Sequence, residues 1–259
     1  MEANAFVAEV YRRMSLRQAN ALPRETWAEM CADAAVLQAQ HAYAPLLPAN
    51  KQAPILDLGF GRGWFIAACV NLGYTNITGA DFGIRHKSNV HAWSPCVTLE
   101  EIETNIGDFL ASRKDSFAFI HLSHVIEHIP KYSLLYAVDS LYQALQRGGT
   151  VLIRTPNMEG PCANSSFYVT LAHEYGFSGS NLKSLLYICG FDEIRFHAFR
   201  AYQPTVKQRV GELARYPIVG WNRLRHRLFG VNQGGHFGSE LVVSAKRGSY
   251  EPLFDPKFG

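Results

Sequence analysis

The chain is 259 residues long, 47% apolar and 18% charged, with a formal net charge of +3. Such a chain can bury a large core, which excludes a disordered polypeptide, and so weak a charge gives no reason of its own to expect a nucleic-acid partner. Its five cysteines (Cys31, Cys69, Cys96, Cys162 and Cys189) form no CxxC pair, so free thiols in a reducing compartment are expected rather than a disulfide framework.

The amino terminus, MEANAFVAEVYRRMSLRQ, lacks the apolar segment of a signal peptide. No stretch approaches the ~18 continuous apolar residues of a spanning helix. A cytoplasmic protein is expected, with at most peripheral membrane contact. Residues 1–50 read as helices, broken near Leu22-Pro23 and again at Pro45 and Pro48. From Pro54 strands and helices alternate. ILDL (55–58) is an apolar strand ending in a glycine-rich turn, and WFIAACVNLG (64–73) a helix stopped by Gly73. NITGAD (76–81) is a second strand, IETNIGDF (102–109) holds a weak third, and FAFIHL (117–122) is a fourth. The helix SLLYAVDSLYQALQ (133–146) stops at Gly148-Gly149, and TVLIRT (150–155) is a fifth strand closed by Pro156. A helix over 181–190 precedes strands at 191–199 and 240–246. This alternation argues for a doubly wound, mostly parallel sheet.

Residues 200–238 interrupt the pattern as an insertion. Lys207, Arg209, Arg215, Arg223, Arg225 and Arg227 stand against the single acid Glu212, with Trp221, Leu224, Leu228 and Phe229 interleaved at roughly helical spacing. Two readings fit: a solvated helical excursion, or a basic amphipathic surface for a phosphate-bearing or lipid-linked substrate.

The first turn reads Asp57-Leu58-Gly59-Phe60-Gly61-Arg62-Gly63. Glycines between a parallel strand and a helix let a ligand approach the backbone at the helix N-terminus. The dinucleotide fingerprint needs G-x-G-x-x-G, yet its third glycine position holds Trp64, whose indole would block the close helix–strand contact. The spacing is G-x-G-x-G behind an acid, which would repel a pyrophosphate and attract an ammonium group. Asp81, 24 residues past Asp57, ends the second strand where a carboxylate can hold two ribose hydroxyls. Phe82 follows it. Asp108 is expected at the end of the third strand, with Phe109 beside it to flank a purine. Acids and a glycine turn at successive strand tips suit an adenosine with a cationic amino-acid tail, which is S-adenosylmethionine.

DLGFGRGWF, TGADFG and FIHLSHVIEHIP, followed by LQRGGTVLIRTPN, resemble the class I S-adenosylmethionine-dependent methyltransferases. More closely they resemble the subgroup of ubiquinone and bacterial surface-glycan O-methyltransferases, and FYVTLAHEYGFSGSNLKSLLYICGF (167–191) shares that subgroup's pattern. Phe60 and LQRGG depart from the usual cysteine and Pro-Gly-Gly, without touching the ligand-bearing acids. The resemblance implies an α/β, Rossmann-like, doubly wound seven-stranded sheet with its last strand antiparallel and an N-terminal helical lid. The lid would span 1–50, the catalytic domain 51–247 with the basic insertion 200–238, and a tail 248–259. Within the lid, Tyr11, Arg12, Arg13, Arg17 and Trp27 are candidates to contact cofactor and acceptor.

His124-Val125-Ile126-Glu127-His128 also spells H-x-x-E-H, an inverted zinc-protease motif. That motif needs a long helix, and Pro130 follows His128 by two residues; it lies instead just past the fourth strand, where cofactor and acceptor meet. The resemblance puts Leu122 and Ser123 against the methionine end of the cofactor, and His124 and His128 on the acceptor side. A hydroxyl acceptor needs a base, and an imidazole titrates near neutrality. His128, oriented by Glu127, is the first choice for that role, with His124 and His173 (followed by Glu174) as the other catalytic candidates. Asn157 either lines the pocket or serves the turn after Pro156. No metal ligand is assigned. The expected acceptor is a glycan sugar or its lipid-linked precursor, with a quinone, phenol or other small molecule as the rival; a binding module that kept the cofactor without turnover is a third reading.

Overall fold

Ile55–Leu58 is buried at all four positions, as a central parallel strand covered on both faces must be. It forms β1 of a computed structural model that describes residues 9–10, 13, 27–82, 96–198, 206–229, 236 and 238–249. β1 pairs in parallel with β2 (Ile77–Asp81) and β4 (Phe117–Ser123). β3 (Val97–Glu101) lies outside β2, and β5 (Leu145–Pro156) pairs in parallel with β4. β7 (Glu240–Arg247) enters antiparallel between β5 and β6 (Phe191–His197), giving the order β3-β2-β1-β4-β5-β7-β6. The seven strands and the antiparallel last strand are as expected.

Two strands differ most from the sequence reading, while several helix ends differ by about two residues. The third strand is Val97–Glu101, and the stretch expected to hold it contains a short helix, Ile106–Ala111, instead. Asn105 caps that helix by accepting a hydrogen bond from the Asp108 amide at 2.9 Å, a local N-terminal signal that competes with strand formation. β5 starts at Leu145, well before Thr150. Gly148-Gly149 lie within it, where Gly148 has φ +73° and the register against β4 shifts.

Numbered in chain order from Trp27, the α-helices among the described residues are α1 (Trp27–Ala32), α2 (Ala34–Tyr43), α3 (Trp64–Asn71), α4 (Ile106–Ala111), α5 (Leu134–Ala144), α6 (Ala163–Phe167), α7 (Gly179–Ile188) and α8 (Val206–Leu228). Met30, Val36, Ala39 and Tyr43 of α1 and α2 share a buried cluster with Phe60, Phe65, Ile66 and Phe119. α1 and α2 are therefore packed into the core beside α3. Arg13 pairs with Glu9 at 2.6 Å, while Tyr11, Arg12 and Arg17 lie outside the described residues. A second cluster joins α4, α5 and α7 to the sheet through Leu110, Val138, Leu141 and Leu186. Among the described residues no helix is long and apolar enough to cross a membrane. All five cysteines are free thiols.

Candidate active site

The glycine turn needs its glycines for backbone reasons. Gly59, Gly61 and Gly63 have φ of +74°, +54° and +78°, a region that disfavours any side chain with a Cβ. The Gly59 amide donates to the Ala80 carbonyl at 2.7 Å, and the Gly61 amide to Oδ2 of Asp81 at 2.7 Å. The turn is thus folded over the tip of β2, with Gly63 as the left-handed cap of α3. A Cβ on Gly59 would lie 2.4 Å from Cγ2 of Val125, in the turn after β4. β1, β2 and β4 therefore converge here at their carboxyl ends, the place where open α/β sheets bind ligands.

Asp81 sits at the tip of β2 as expected, followed by the half-buried Phe82 packed on the core. Asp57 is placed differently from the reading that aimed it at the cofactor's ammonium. It is 2% exposed beneath the turn, and its Oδ1 is 2.7 Å from Nδ1 of His121 on β4. The His121 ring stacks on Phe65 at 3.8 Å. Sequence reasoning missed His121, although the Asp57–His121 register on neighbouring strands brings the two together.

Asp108 and Phe109 do not end a strand. Asp108 lies in the first turn of α4, where its carboxylate accepts from Asn105 Nδ2 at 2.5 Å and from the Tyr136 hydroxyl at 2.9 Å, tying α4 to α5. Phe109 is buried, with the Arg113 guanidinium 3.7 Å over its ring. The residues beside Asp81 are Glu101, paired with it in register, and Ile102, whose amide donates to the Asp81 carbonyl at 3.0 Å. The missed signal was the acidic end of VTLEE.

HVIEH does not form the helix that the zinc-protease motif requires. His124 has φ +56°, and only Ile126–His128 make a single 3-10 turn before Pro130. Ser123 ends β4, and the His124 amide donates to the Arg154 carbonyl at 2.8 Å. The His124 ring lies between two carboxylates, with Nδ1 3.1 Å from Glu127 Oε1 and Nε2 3.2 Å from Glu240 Oε1. Glu240 also accepts from Arg154 Nε at 2.7 Å, and the buried Glu127 accepts from the Thr155 hydroxyl at 3.0 Å. Burial opposes charge on His124, but hydrogen bonds to Glu127 and Glu240 outweigh it and raise its pKa to about 9. With both ring nitrogens held by carboxylates, His124 is poorly placed to take a proton from an acceptor, and its contacts tie the turn after β4 to β7. Sequence reasoning missed Glu240 because β7 is distant in sequence, and Arg154 and Thr155 because only the pairing of β4 with β5 brings them beside this turn.

The sign of the His124 effect on stability follows from that shift. Its contribution is complete below the unfolded value of ~6.5 and fades as pH rises through the folded value. Urea unfolding of the protein and of His124→Gln should show the widest stability gap near about pH 6 and a closing gap toward about pH 9.5. A gap independent of pH would mean that the imidazolium is not what stabilises this turn.

His128 and His173 come together. His128 Nδ1–H donates to the Ala172 carbonyl at 2.8 Å, and His173 Nδ1–H donates to the Phe167 carbonyl at 2.6 Å. These bonds fix both rings as tautomers whose lone pair is on Nε2. The ring centroids are 4.7 Å apart, and Nε2 of His173 is 4.0 Å from Glu127 Oε1. Burial lowers the His128 pKa, with the Ala172 and Glu127 contacts partly offsetting it, so His128 is neutral at pH 7. Glu127, His128 and His173 offer ligand atoms within 4.8 Å of one another, a set that could also hold a divalent ion. The Glu127 carboxylate spends its hydrogen bonds on His124 and Thr155 rather than on His128, and the Glu127 carbonyl accepts from the Glu174 and Tyr175 amides at 2.8 and 3.1 Å. Asn157 does not line the pocket, since its amide is used on the His236 and Gly238 carbonyls at 2.7 Å and on the Glu159 amide at 2.9 Å.

A glycine turn over an acid at the tip of β2, in a sheet with an antiparallel strand inserted beside its edge, defines the Rossmann-like methyltransferase class. The profile described as "Methyltransferase domain" matches residues 32–192, more than half of the sequence, and the chain belongs to that family. No curated protein matches it. Among solved structures it is similar to an S-adenosylmethionine-dependent methyltransferase from Archaeoglobus fulgidus, with 19% identity, a TM-score of 0.59, and 83% of this chain and 94% of that one covered. A methyltransferase of the same description from Mesorhizobium loti is 18% identical over 80% of this chain and 96% of its own, with a TM-score of 0.57. The phosphoethanolamine N-methyltransferase 2 of Haemonchus contortus, in complex with S-adenosylmethionine, is 16% identical, with a TM-score of 0.52 over 82% of this chain and 53% of that one. The cofactor of this methyltransferase is S-adenosylmethionine.

Proposed function

We propose that the protein methylates a hydroxyl group, with a sugar of a surface glycan or of its lipid-linked precursor as the acceptor. The observation that carries the hydroxyl reading is the His128–His173 pair. Both rings are locked with Nε2 as the lone-pair nitrogen beside the buried Glu127, His128 in the turn that follows β4 and His173 in the segment between β5 and α7. A sugar hydroxyl is a poor nucleophile until its proton is taken, and a neutral imidazole is suited to take it. His128 accepts that proton on Nε2, a neighbouring hydroxyl of the acceptor donates to Nε2 of His173, and Glu127 stabilises the resulting imidazolium. The glycan acceptor rests on the resemblance of the 167–191 segment.

For the cofactor, the positive-φ turn leaves backbone amides at the start of α3, and Asp81 lies at the strand tip to take the ribose hydroxyls. Phe82, Glu101 and Ser123 complete its surroundings in this reading. When bound, S-adenosylmethionine supplies the methyl group: the acceptor oxygen bonds to the methyl carbon while the carbon–sulfur electrons stay on sulfur, leaving S-adenosylhomocysteine. Asp81→Ala should weaken S-adenosylhomocysteine binding by ~1.5–3 kcal/mol, the worth of a hydrogen bond to a charged acceptor, as read by calorimetry. Unchanged affinity would remove Asp81 from the site.

The test of the acceptor is transfer of labelled methyl from S-adenosylmethionine to a panel of nucleotide sugars, lipid-linked glycans and catechols. Label in the sugars supports the proposal; label confined to catechols overturns it. A chelator arm separates two uses of the same side chains. Retained turnover in EDTA keeps His128 as the base. Loss of turnover restored by a divalent ion would make Glu127, His128 and His173 its ligands.

A further inference from the structure

α8 is docked on its polar side. Asn222, 4% exposed, donates its side-chain amide to the Glu159 carbonyl at 2.6 Å, and Val219 and His226, one turn either way, are the other half-buried positions of its central and C-terminal turns. On the opposite side, Val206, Val210, Leu213, Trp221, Leu224 and Leu228 recur three, four or eight residues apart as one stripe. All six are exposed, by 44% to 75%. A helix normally hides such a stripe in the core, and a contiguous exposed one marks a contact surface.

The charge of the helix says what meets it. Val206–Leu228 contains six basic residues and one acid, a net +5 in a chain whose total is +3, so the rest of the protein is net negative. A second copy of this chain would set one +5 helix against another, and Pro217 interrupts the stripe that two copies would have to share. An anionic bilayer answers both properties, because its acyl boundary takes Leu and Trp while its headgroups take arginine.

We propose that α8 lies in the interface of an anionic lipid bilayer, with its apolar stripe inserted among the acyl chains. The dock then has a geometric consequence for the site. Glu159, which holds Asn222, belongs to the segment between β5 and α7, as do Ala172 and His173. Asn157 in the same segment holds Gly238, two residues before β7. That segment also exposes Tyr168, Val169 and Leu171 by 76% to 80%. A bilayer under α8 would thus be anchored through the polypeptide that builds the acceptor side, which favours a lipid-linked acceptor; this last step rests on the proposed methyl transfer.

The test uses the full chain and vesicles of about equal phosphatidylcholine and phosphatidylglycerol, compared with phosphatidylcholine alone. Cosedimentation should be at least about tenfold stronger with the anionic vesicles, should weaken with salt, and should shift Trp221 emission to the blue. The triple variant Leu213→Ser/Trp221→Ser/Leu224→Ser and the double variant Arg223→Glu/Arg227→Glu should each lose about tenfold or more of that binding, with S-adenosylhomocysteine affinity intact. Equal binding to both vesicles, unchanged binding by the variants, or a concentration-dependent dimer that the triple variant dissolves would each overturn the proposal. A protein that binds vesicles but not S-adenosylhomocysteine would instead count against the methyl-transfer reading alone.

Discussion

Replacing His128 with alanine should lower turnover by about 10²- to 10⁴-fold, the usual worth of a positioned base, while S-adenosylhomocysteine affinity stays the same. The ring touches the Ala172 carbonyl and neighbours His173, both in the segment between β5 and α7, which is why the effect should fall on kcat. The pH profile adds a second readout. A base must be neutral to act, and burial lowers the pKa of His128, so kcat should hold as pH falls past the ordinary imidazole value of ~6.5 and decline only below it. An acid limb at or above ~6.5, or equal turnover in His128→Ala, would take the base role away from this residue.

Gly59→Ala is expected to be the most damaging single change to the fold near the site. It places a Cβ at φ +74° and 2.4 Å from Val125 Cγ2, so backbone strain and overpacking act together. About 1–2 kcal/mol for the left-handed backbone and about 1–3 kcal/mol for the overlap give a loss of about 2–5 kcal/mol. In a chain of this size that lowers Tm by about 4–20 °C. Val125→Ala in the same chain should recover the overlap and leave the backbone cost, so the double variant should be more stable than Gly59→Ala alone. If the two changes simply add, the turn has moved away from Val125 and the convergence of β1 and β4 described above is looser than drawn.

The parts of this architecture written in local sequence were readable, and the parts made by distant strands were not. ILDL, NITGAD and FAFIHL each announce a buried strand, and the glycine spacing announces the turn, because those signals lie within a few residues of the structure they cause. The third strand was misplaced because three of the five residues of VTLEE are acids or threonine, while the apolar residues of 106–109 belong to a capped helix. The network around His124 needed Glu240 and Arg154, and only the insertion of β7 beside β5 brings Glu240 there. The same lesson applies to Asp57, whose partner His121 is set by strand register.

The place of β7 in the sheet bears on how the protein is made. β5 is complete at Pro156 and β6 at His197, yet in the described sheet each has β7 on the side facing the other, and β7 ends only at Arg247. About 90 residues must leave the ribosome after β5 before its open edge finds a partner, roughly 5–20 seconds at ordinary rates of synthesis. Through that interval a flat apolar edge built from Val151, Leu152 and Ile153 is available to any other strand. The nascent chain is thus most exposed to mispairing and to chaperone capture late in translation, after most of its cofactor site has already been synthesised.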